Sequence, residues 1–188
     1  KLSENLFKGL SPWLSKLPGG LIHVNVVGCG LFAAISGSSA ATVATVGKMS
    51  IPELRKRKYP EKILLGSLAG SGTLGLLIPP SIILIIYGVT IEDSIAKLFM
   101  AGILPGIMLA VIFMLYVVIW STINKKQMPT ISENFSFLEK IKKSKQLLPV
   151  VLLITAVIGS IYTGIATATE AASLGVVGAL ILSLFQGT

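Results

Sequence analysis

Two clusters of small polar residues interrupt long stretches of the chain that carry no charge. The first cluster is Ser36-Gly37-Ser38-Ser39, and the second extends over residues 70–81, from three spaced glycines to Pro79-Pro80-Ser81. Serine and threonine hydroxyls, together with carbonyls that an interrupted helix leaves free, are uncharged oxygen ligands that suit Na⁺, whereas helix N-termini favour an anion. The two clusters therefore predict an ion-binding site.

The Pro79-Pro80 pair predicts a break in a helix over residues 63–91. Proline in a helix interior removes a backbone donor and clashes with the preceding turn. Unwound backbone at membrane depth is tolerated only where it is buried in protein or lines a polar cavity. Small-residue clusters can also serve only to let helices pack closely, and for residues 36–39 alone this alternative stays open.

The elements that position these clusters are predicted to be membrane helices. The chain has 188 residues, of which 53% are hydrophobic and 13% are charged, and its mean hydropathy is +0.83. A run of about 18 or more apolar residues without charge is a transmembrane candidate. Four stretches meet this criterion: residues 17–47, 63–91, 98–124 and 146–169. The sequence predicts an all-α integral membrane protein and excludes soluble, disulfide-rich secreted and disordered classes.

The distribution of basic residues predicts a re-entrant hairpin over residues 17–47. Six of the 16 Lys and Arg residues lie in residues 48–62, and three lysines precede residue 17. Basic residues in short loops mark the cytoplasmic side. The 31 uncharged residues between these two basic groups must enter the membrane and turn back if both groups are cytoplasmic. The net charge of +8 therefore indicates orientation in a lipid bilayer and no nucleic-acid partner.

An intramembrane serine hydrolase is the alternative chemistry for the serines at 36, 38 and 39. A serine nucleophile needs a base within hydrogen-bond reach. The one histidine, His23, lies 13 to 16 residues earlier, which is about 20 Å along a helix. The sequence therefore predicts that the protein is not an enzyme. Glu170 follows Thr167 and Thr169, and we predict that it caps a helix N-terminus.

Short motifs in a fixed order resemble the large membrane subunit of tripartite ATP-independent periplasmic (TRAP) transporters. They are Leu17-Pro18-Gly19-Gly20-Leu21, Ile35-Ser36-Gly37-Ser38-Ser39, residues 47–52 followed by a basic loop, Gly72-Thr73-Leu74-Gly75 with Ile78-Pro79-Pro80-Ser81, residues 98–106 and residues 164–172. The resemblance covers nearly the whole chain. One departure is Ala168, where the family usually has proline.

The resemblance implies one half of an inverted-repeat, elevator-type transporter, with a re-entrant helical hairpin and a discontinuous transmembrane helix. The expected divisions are an interfacial amphipathic helix (1–16), a first repeat (17–121), a basic cytoplasmic loop (122–146) and the start of a second repeat (147–188). Within the first repeat we expect the hairpin (17–47), the broken helix (63–91) and a transmembrane helix (92–121).

The resemblance also implies Na⁺-coupled import of an organic acid across the bacterial inner membrane, in which the protein is a multi-pass subunit. The expected substrates are a C4-dicarboxylate, a sialic acid or a similar carboxylate, delivered by a periplasmic binding protein, and a small membrane subunit is the expected partner. The implied Na⁺ site comprises Ser36, Gly37, Ser38, Gly72, Thr73 and Pro79. The implied substrate contacts are Ser38, Ser39 and Pro80.

Two other functions remain open from the residues alone. One is an ion-coupled inverted-repeat carrier that works without a binding protein, and the other is a membrane subunit with a purely structural role. Because the sequence opens on Lys1 and stops at Thr188 inside an apolar segment, we expect a piece of a longer protein that contains one of two half-sites.

Overall fold

Apolar stretches alternate with short polar or glycine- and proline-containing segments, and this pattern divides the chain into helices. The computed structural model describes residues 2–129 and 136–185. The helices are α1 (Leu2–Leu14), α2 (Ile22–Ser36), α3 (Ser39–Lys56), α4 (Glu61–Gly72), α5 (Ile82–Thr90), α6 (Ile95–Ile123), α7 (Phe137–Ser144), α8 (Leu148–Tyr162) and α9 (Ala168–Phe185). No β-strand occurs in these two ranges, in agreement with the all-α prediction.

Helices α2 and α3 form a hairpin with a two-residue turn. Gly37 ends α2 in the left-handed region (φ +59°), and Ser38 is extended (φ −132°) at the start of α3. The turn lies within the predicted cluster, but the outer bounds of the arms differ from the predicted 17 and 47. Helix α2 begins later, because Gly19 and Gly20 adopt positive φ in a turn before it. Helix α3 continues to Lys56, where basic side chains favour the negative end of a helix.

The helix predicted over residues 63–91 is broken in the structure. Helix α4 passes into a 3-10 turn (Thr73–Leu76), and α5 begins at Ile82 after the two prolines. The Pro79–Pro80 peptide bond is cis. The hydroxyl of Ser81 donates a hydrogen bond of 2.8 Å to the carbonyl oxygen of Leu76, so a side chain replaces part of the pairing that the break removes.

Helix α6 is the long apolar helix of the described residues. Its 29 residues extend about 44 Å at 1.5 Å per residue, and it is the one continuous helix in the described ranges that is long and apolar enough to cross a membrane. Helices α7 and α8 together form a second candidate span, which is bent by 54°. These findings are consistent with a membrane protein.

A buried amide joins the hairpin to α4. The side-chain nitrogen of Asn25, which is 0% exposed, donates hydrogen bonds to the carbonyl oxygen of Leu64 (3.2 Å) and to Oγ of Ser67 (3.0 Å). Oγ of Ser71 donates to the backbone carbonyl of Asn25 (3.4 Å). Because a buried polar group contributes to stability only when it is paired, these bonds fix α2 against α4 in one register.

The N-terminal helix packs against this bundle. Leu6, Phe7 and Leu10 of α1 are buried, and the last two belong to a core cluster that also includes residues of the hairpin and α4. The imidazole of His23 is buried near the start of α2, with Nε2 2.7 Å from the carbonyl oxygen of Pro18. The structure therefore gives His23 a structural contact far from the hairpin turn.

The segment predicted as a basic loop over residues 122–146 is partly helical. It contains α7, whose first turn is closed by a capping box between Ser136 and Glu139. Residues 130–135 of that predicted loop lie outside the described residues, as do Lys1 and residues 186–188 of the predicted second repeat. Helix α8 ends at Tyr162 and α9 begins at Ala168, so Glu170 lies in the first turn of α9.

Candidate ion and substrate site

Four helix ends lie together where the hairpin turn meets the break between α4 and α5. Helices α2 and α4 end at Ser36 and Gly72, whereas α3 and α5 begin at Ser39 and Ile82. Helix C-termini carry partial negative charge and helix N-termini carry partial positive charge. The backbone nitrogen of Ile82 donates a hydrogen bond of 3.2 Å to the carbonyl oxygen of Gly37, and this bond joins the turn to the start of α5.

Two glycines allow this close approach of backbone to backbone, and a third lies against a side chain of α3. A Cβ atom at Gly37 would lie 2.7 Å from the carbonyl oxygen of Pro80. A Cβ atom at Gly75 would lie 2.9 Å from the backbone nitrogen of Ser39, and one at Gly72 would overlap a side chain of α3. A larger residue at Gly37 or Gly75 must therefore separate the backbone of the hairpin from that of the break, and one at Gly72 must displace the side chain of Val43.

The hydroxyls of the hairpin turn form a small network. Oγ of Ser36 lies 2.8 Å from Oγ1 of Thr42, and it also donates to the carbonyl oxygen of Ser38 (3.3 Å). Oγ of Ser38 accepts a long hydrogen bond of 3.5 Å from the backbone nitrogen of Ala41. Oγ of Ser39 is buried and has no hydrogen-bond partner among the described residues. An unpaired buried oxygen of this kind can accept a donor or coordinate a cation.

The site residues predicted at the break between α4 and α5 differ in how they are placed relative to the hairpin turn. Thr73 is exposed, and its hydroxyl donates to the carbonyl oxygen of Gly70 (2.7 Å) in its own helix. Pro79 is buried and Pro80 is half-buried, and the carbonyl of Pro80 contacts the turn at Gly37. The structure thus brings the turn serines together with Gly72 and Pro80, whereas the hydroxyl of Thr73 is engaged elsewhere.

The helix ends offer uncharged oxygen atoms to a cation. Within the described ranges, no group of three or more His, Cys, Asp and Glu side chains could hold a metal ion. The available ligands are hydroxyl oxygens, including the unpaired Oγ of Ser39, and carbonyl oxygens. Unwound backbone carbonyls and half-helix C-termini are the groups that coordinate Na⁺ in secondary transporters.

Thr42 and Gly75 contribute to this site although the sequence did not single them out as site residues. The side chain of Thr42 is fully buried beside Ser36, and Gly75 contacts the backbone of Ser38 and Ser39. The sequence could have indicated Gly75, because it lies three residues after Gly72 and positions i and i+3 share one helix face. No sequence pattern indicates Thr42 in the same way, because a threonine one turn into a helix does not by itself mark a site residue.

Pro80 also lines a cavity of about 270 Å³ between the hairpin and helices α8 and α9. The other lining residues are Ala34, Ile35, Leu153, Ile154, Val157, Ala172, Gly175, Val176 and Ala179. Because all of these side chains are apolar or absent, the cavity itself offers no polar side chain to a carboxylate.

Comparison with known proteins identifies the family of the chain. The family model for the tripartite ATP-independent periplasmic transporter, DctM component, matches residues 1–188. The chain belongs to this family. This confirms the resemblance that the ordered motifs indicated, and it means that the relatives of the chain are transporter permeases, which are membrane proteins, rather than enzymes.

Individual relatives of the TRAP large permease family carry different substrate names. The chain is 41% identical, over 89% of its length, to a C4-dicarboxylate TRAP transporter large permease protein from Pseudomonas aeruginosa. It is 37% identical, over 98% of its length, to an isethionate TRAP transporter permease protein, DctMQ, from Oleidesulfovibrio alaskensis. It is 34% identical, over 96% of its length, to a sialic acid TRAP transporter large permease protein from Vibrio cholerae. The chain spans 38%, 29% and 42% of the lengths of these relatives, respectively.

Proposed function

We propose that this TRAP permease chain forms part of a Na⁺-coupled secondary transporter that imports an organic acid. The observation that carries the proposal is the convergence of four helix ends at Ser36, Ser39, Gly72 and Ile82, together with the hydroxyls of the hairpin turn. Such an arrangement offers a cation the C-terminal ends of two helices and offers an anion the N-terminal ends of two others.

In this proposal, the coupling ion binds between the C-terminal ends of α2 and α4. The proposed ligand set is the one implied by the family resemblance: Ser36, Gly37, Ser38, Gly72, Thr73 and Pro79. The unpaired, buried Oγ of Ser39 supports an additional oxygen ligand there. In this proposal Na⁺ is a transported ion. Because its ligands would be uncharged oxygen atoms, its positive charge would remain available to attract a neighbouring carboxylate.

The substrate in this proposal is a carboxylate that approaches the N-terminal ends of α3 and α5. Ser38, Ser39 and Pro80 are the residues of this chain that we place next to it. Helix N-termini stabilise anions through unpaired N–H groups and the helix dipole. The relatives named for C4-dicarboxylate, sialic acid and ectoine transport support an organic carboxylate as the class, because all three compounds carry a carboxylate.

We propose that the complete transporter works with a small membrane subunit and a periplasmic substrate-binding protein in the bacterial inner membrane. The name of the DctMQ relative is consistent with a fused small subunit in one case. The hairpin, re-entrant from the membrane surface, and the broken α4–α5 helix would move together as part of an elevator-type transport unit. The Asn25 bonds and the Ile82–Gly37 bond support this rigid unit.

Uptake by the complete transporter in proteoliposomes tests the proposal. The assay compares Ser39→Ala and Gly72→Ala with the unmodified protein over a range of Na⁺ concentrations, with Ser173→Ala as the matched control. Ser173 is exposed on α9, where its hydroxyl donates a hydrogen bond of 3.1 Å to the carbonyl oxygen of Thr169 in the preceding turn. We expect a higher Na⁺ concentration for half-maximal uptake in the two site variants and no change in the control.

Two outcomes would contradict this assignment. Unchanged Na⁺ dependence in both site variants would remove the ion site from the hairpin turn. Uptake that proceeds equally well without a periplasmic binding protein would favour the other kind of ion-coupled carrier.

A further inference from the structure

Helix α7 presents an apolar strip with lysines beside it. Phe137, Leu138 and Ile141 are 67%, 77% and 42% exposed, respectively. At 100° per residue these three positions fall within one sector of about 100°. Lys142 is exposed at the edge of this sector, and Lys145, the residue directly after α7, is exposed one turn beyond Ile141. We call these five residues the basic amphipathic patch.

Contacts with Trp13 hold this patch in place. The indole nitrogen of Trp13 donates a hydrogen bond of 2.7 Å to Oγ of Ser144. Its ring meets the ring of Phe137 edge to face at 6.5 Å, and the ammonium of Lys140 lies 5.3 Å from its centroid. Helix α7 is therefore anchored on α1 along one side, and Leu138 and Ile141 stay turned toward the surroundings.

The position of the patch in the chain places it beside an apolar helix. A short 3-10 turn (Lys145–Leu147) links α7 to α8, and the two helices are inclined by 54°. Leu148, the first residue of α8, is itself 56% exposed. Helix α7 is amphipathic, and it turns away from the apolar helix α8 where α8 begins. This is the geometry of a segment that lies in the membrane interface.

We propose that the basic amphipathic patch binds the surface of a bilayer that contains anionic lipid. Leu138 and Ile141 would enter the boundary between headgroups and acyl chains, and Lys142 and Lys145 would contact lipid phosphates. Charge complementarity carries this choice, because basic residues close to a membrane surface are attracted to anionic lipids. Trp13, which is 46% exposed, lies beside the patch, as expected for an aromatic residue at an interface.

Spin labelling of the complete transporter tests this proposal. A nitroxide is attached at Leu138→Cys, after Cys29 and any other native cysteine have been replaced, and the protein is placed in nanodiscs of phosphatidylcholine with or without phosphatidylglycerol. The measured quantity is the ratio of collisions with oxygen, which concentrates in lipid, to collisions with a water-soluble nickel complex. We expect this ratio to rise several-fold when phosphatidylglycerol is present.

Two double variants separate a local charge effect from a general one. Lys142→Gln with Lys145→Gln is expected to abolish the increase, because each lysine near the surface strengthens lipid binding by about fivefold. Lys56→Gln with Lys62→Gln removes the same charge from exposed positions in α3 and α4 and is expected to preserve it. A ratio that does not depend on phosphatidylglycerol would overturn the proposal. So would a label shielded from both collision partners, since that result indicates a protein covering the patch.

Discussion

The backbone nitrogen of Ile82 donates a hydrogen bond of 3.2 Å to the carbonyl oxygen of Gly37. One group is the first amide of α5 and the other belongs to the residue that ends α2, so each would be unpaired in an isolated helix. The ends of the two helices leave both groups without an intrahelical partner. The bond between them therefore joins the hairpin turn to the broken helix. Its geometry depends on glycine at position 37.

Gly37→Ala is expected to destabilise the protein and to reduce uptake. The residue has φ +59°, a conformation that costs an L-residue about 1–2 kcal/mol, and the added Cβ would lie 2.7 Å from the carbonyl oxygen of Pro80. Thermal unfolding of the purified transporter and Na⁺-dependent uptake measure the two effects. Gly66→Ala is the control, because no atom beyond its chain neighbours and the nearby backbone of its own helix lies within 4 Å of its Cβ position. Equal unfolding midpoints for the two variants would show that the turn is not constrained in this way.

Asn25→Asp is expected to lower the free energy of unfolding more than Asn25→Leu does. The amide nitrogen faces the carbonyl oxygen of Leu64, which a carboxylate cannot pair with, and the site is 0% exposed. An uncompensated buried charge costs about 3–5 kcal/mol, whereas loss of hydrogen bonds at a buried site costs about 1–3 kcal/mol.

Chemical denaturation in detergent provides the measurement for both Asn25 variants. Gln127→Glu makes the same amide-to-acid change at an exposed position and is expected to shift the free energy by less than about 0.5 kcal/mol. Equal losses for Asn25→Asp and Asn25→Leu would mean that the introduced carboxyl is protonated at this site between α2 and α4, or that water reaches it.

The ion pair between Arg55 and Glu61 is expected to add a small, acid-sensitive contribution to stability. The guanidinium contacts both carboxylate oxygens at 2.7 and 3.2 Å, and its hydrogen bonds lower the pKa of Glu61. A lowered pKa in the folded state means that the contribution is complete above the ordinary glutamate pKa of about 4.3. The contribution is then lost as the pH falls through the lower, folded-state pKa.

Thermal unfolding of Arg55→Gln at several pH values measures this contribution. The variant is expected to have a lower midpoint than the unmodified protein at neutral pH, and the difference is expected to shrink in acid. Lys56→Gln, which removes a positive charge from the next, exposed residue, is expected to show no such convergence. If the difference between the two unfolding midpoints stayed constant from neutral to acid pH, the effect would come from the arginine side chain itself and not from its ion pair with Glu61.

Local backbone chemistry made the turn and the break predictable from sequence. A glycine between serines and a pair of adjacent prolines restrict φ, ψ and hydrogen bonding within a few residues, and the structure has its turn at Gly37 and its break before Ile82. The ends of α3 and the presence of α7 were harder to predict from the sequence. Charge counts mark where polar chain begins, but a helix can continue through a polar segment when tertiary contacts support it.

The partners of individual site residues depend on contacts between distant parts of the chain. Nothing in the sequence around Gly37 shows that its carbonyl oxygen accepts a hydrogen bond from the backbone nitrogen of Ile82. Likewise, the contact of Gly75 with the backbone of Ser39 requires α3 and the 3-10 turn to pack at one register. Such relations follow from the packing of the whole bundle, which a local pattern does not encode.

Glu170 is expected to act on the stability of α9 and not on ion coupling. A carboxylate within or near a membrane segment is a functional candidate by default. In the structure, however, Oε2 of Glu170 accepts hydrogen bonds of 2.8 Å from both the backbone nitrogen and the hydroxyl of Thr167, and that hydroxyl accepts from the backbone nitrogen of Glu170 (3.3 Å). This reciprocal pairing is a capping box, as the sequence predicted.

Two substitutions at Glu170 distinguish the cap from an ion ligand. Glu170→Gln keeps an acceptor for the nitrogen of Thr167, whereas Glu170→Ala removes it. We therefore expect faster amide hydrogen exchange in the first turn of α9 for the alanine variant, a smaller effect for the glutamine variant, and unchanged Na⁺ dependence of uptake for both. If the glutamine variant instead lost Na⁺ dependence while its hydrogen exchange stayed unchanged, the negative charge itself would be required, and Glu170 would belong to the transport site.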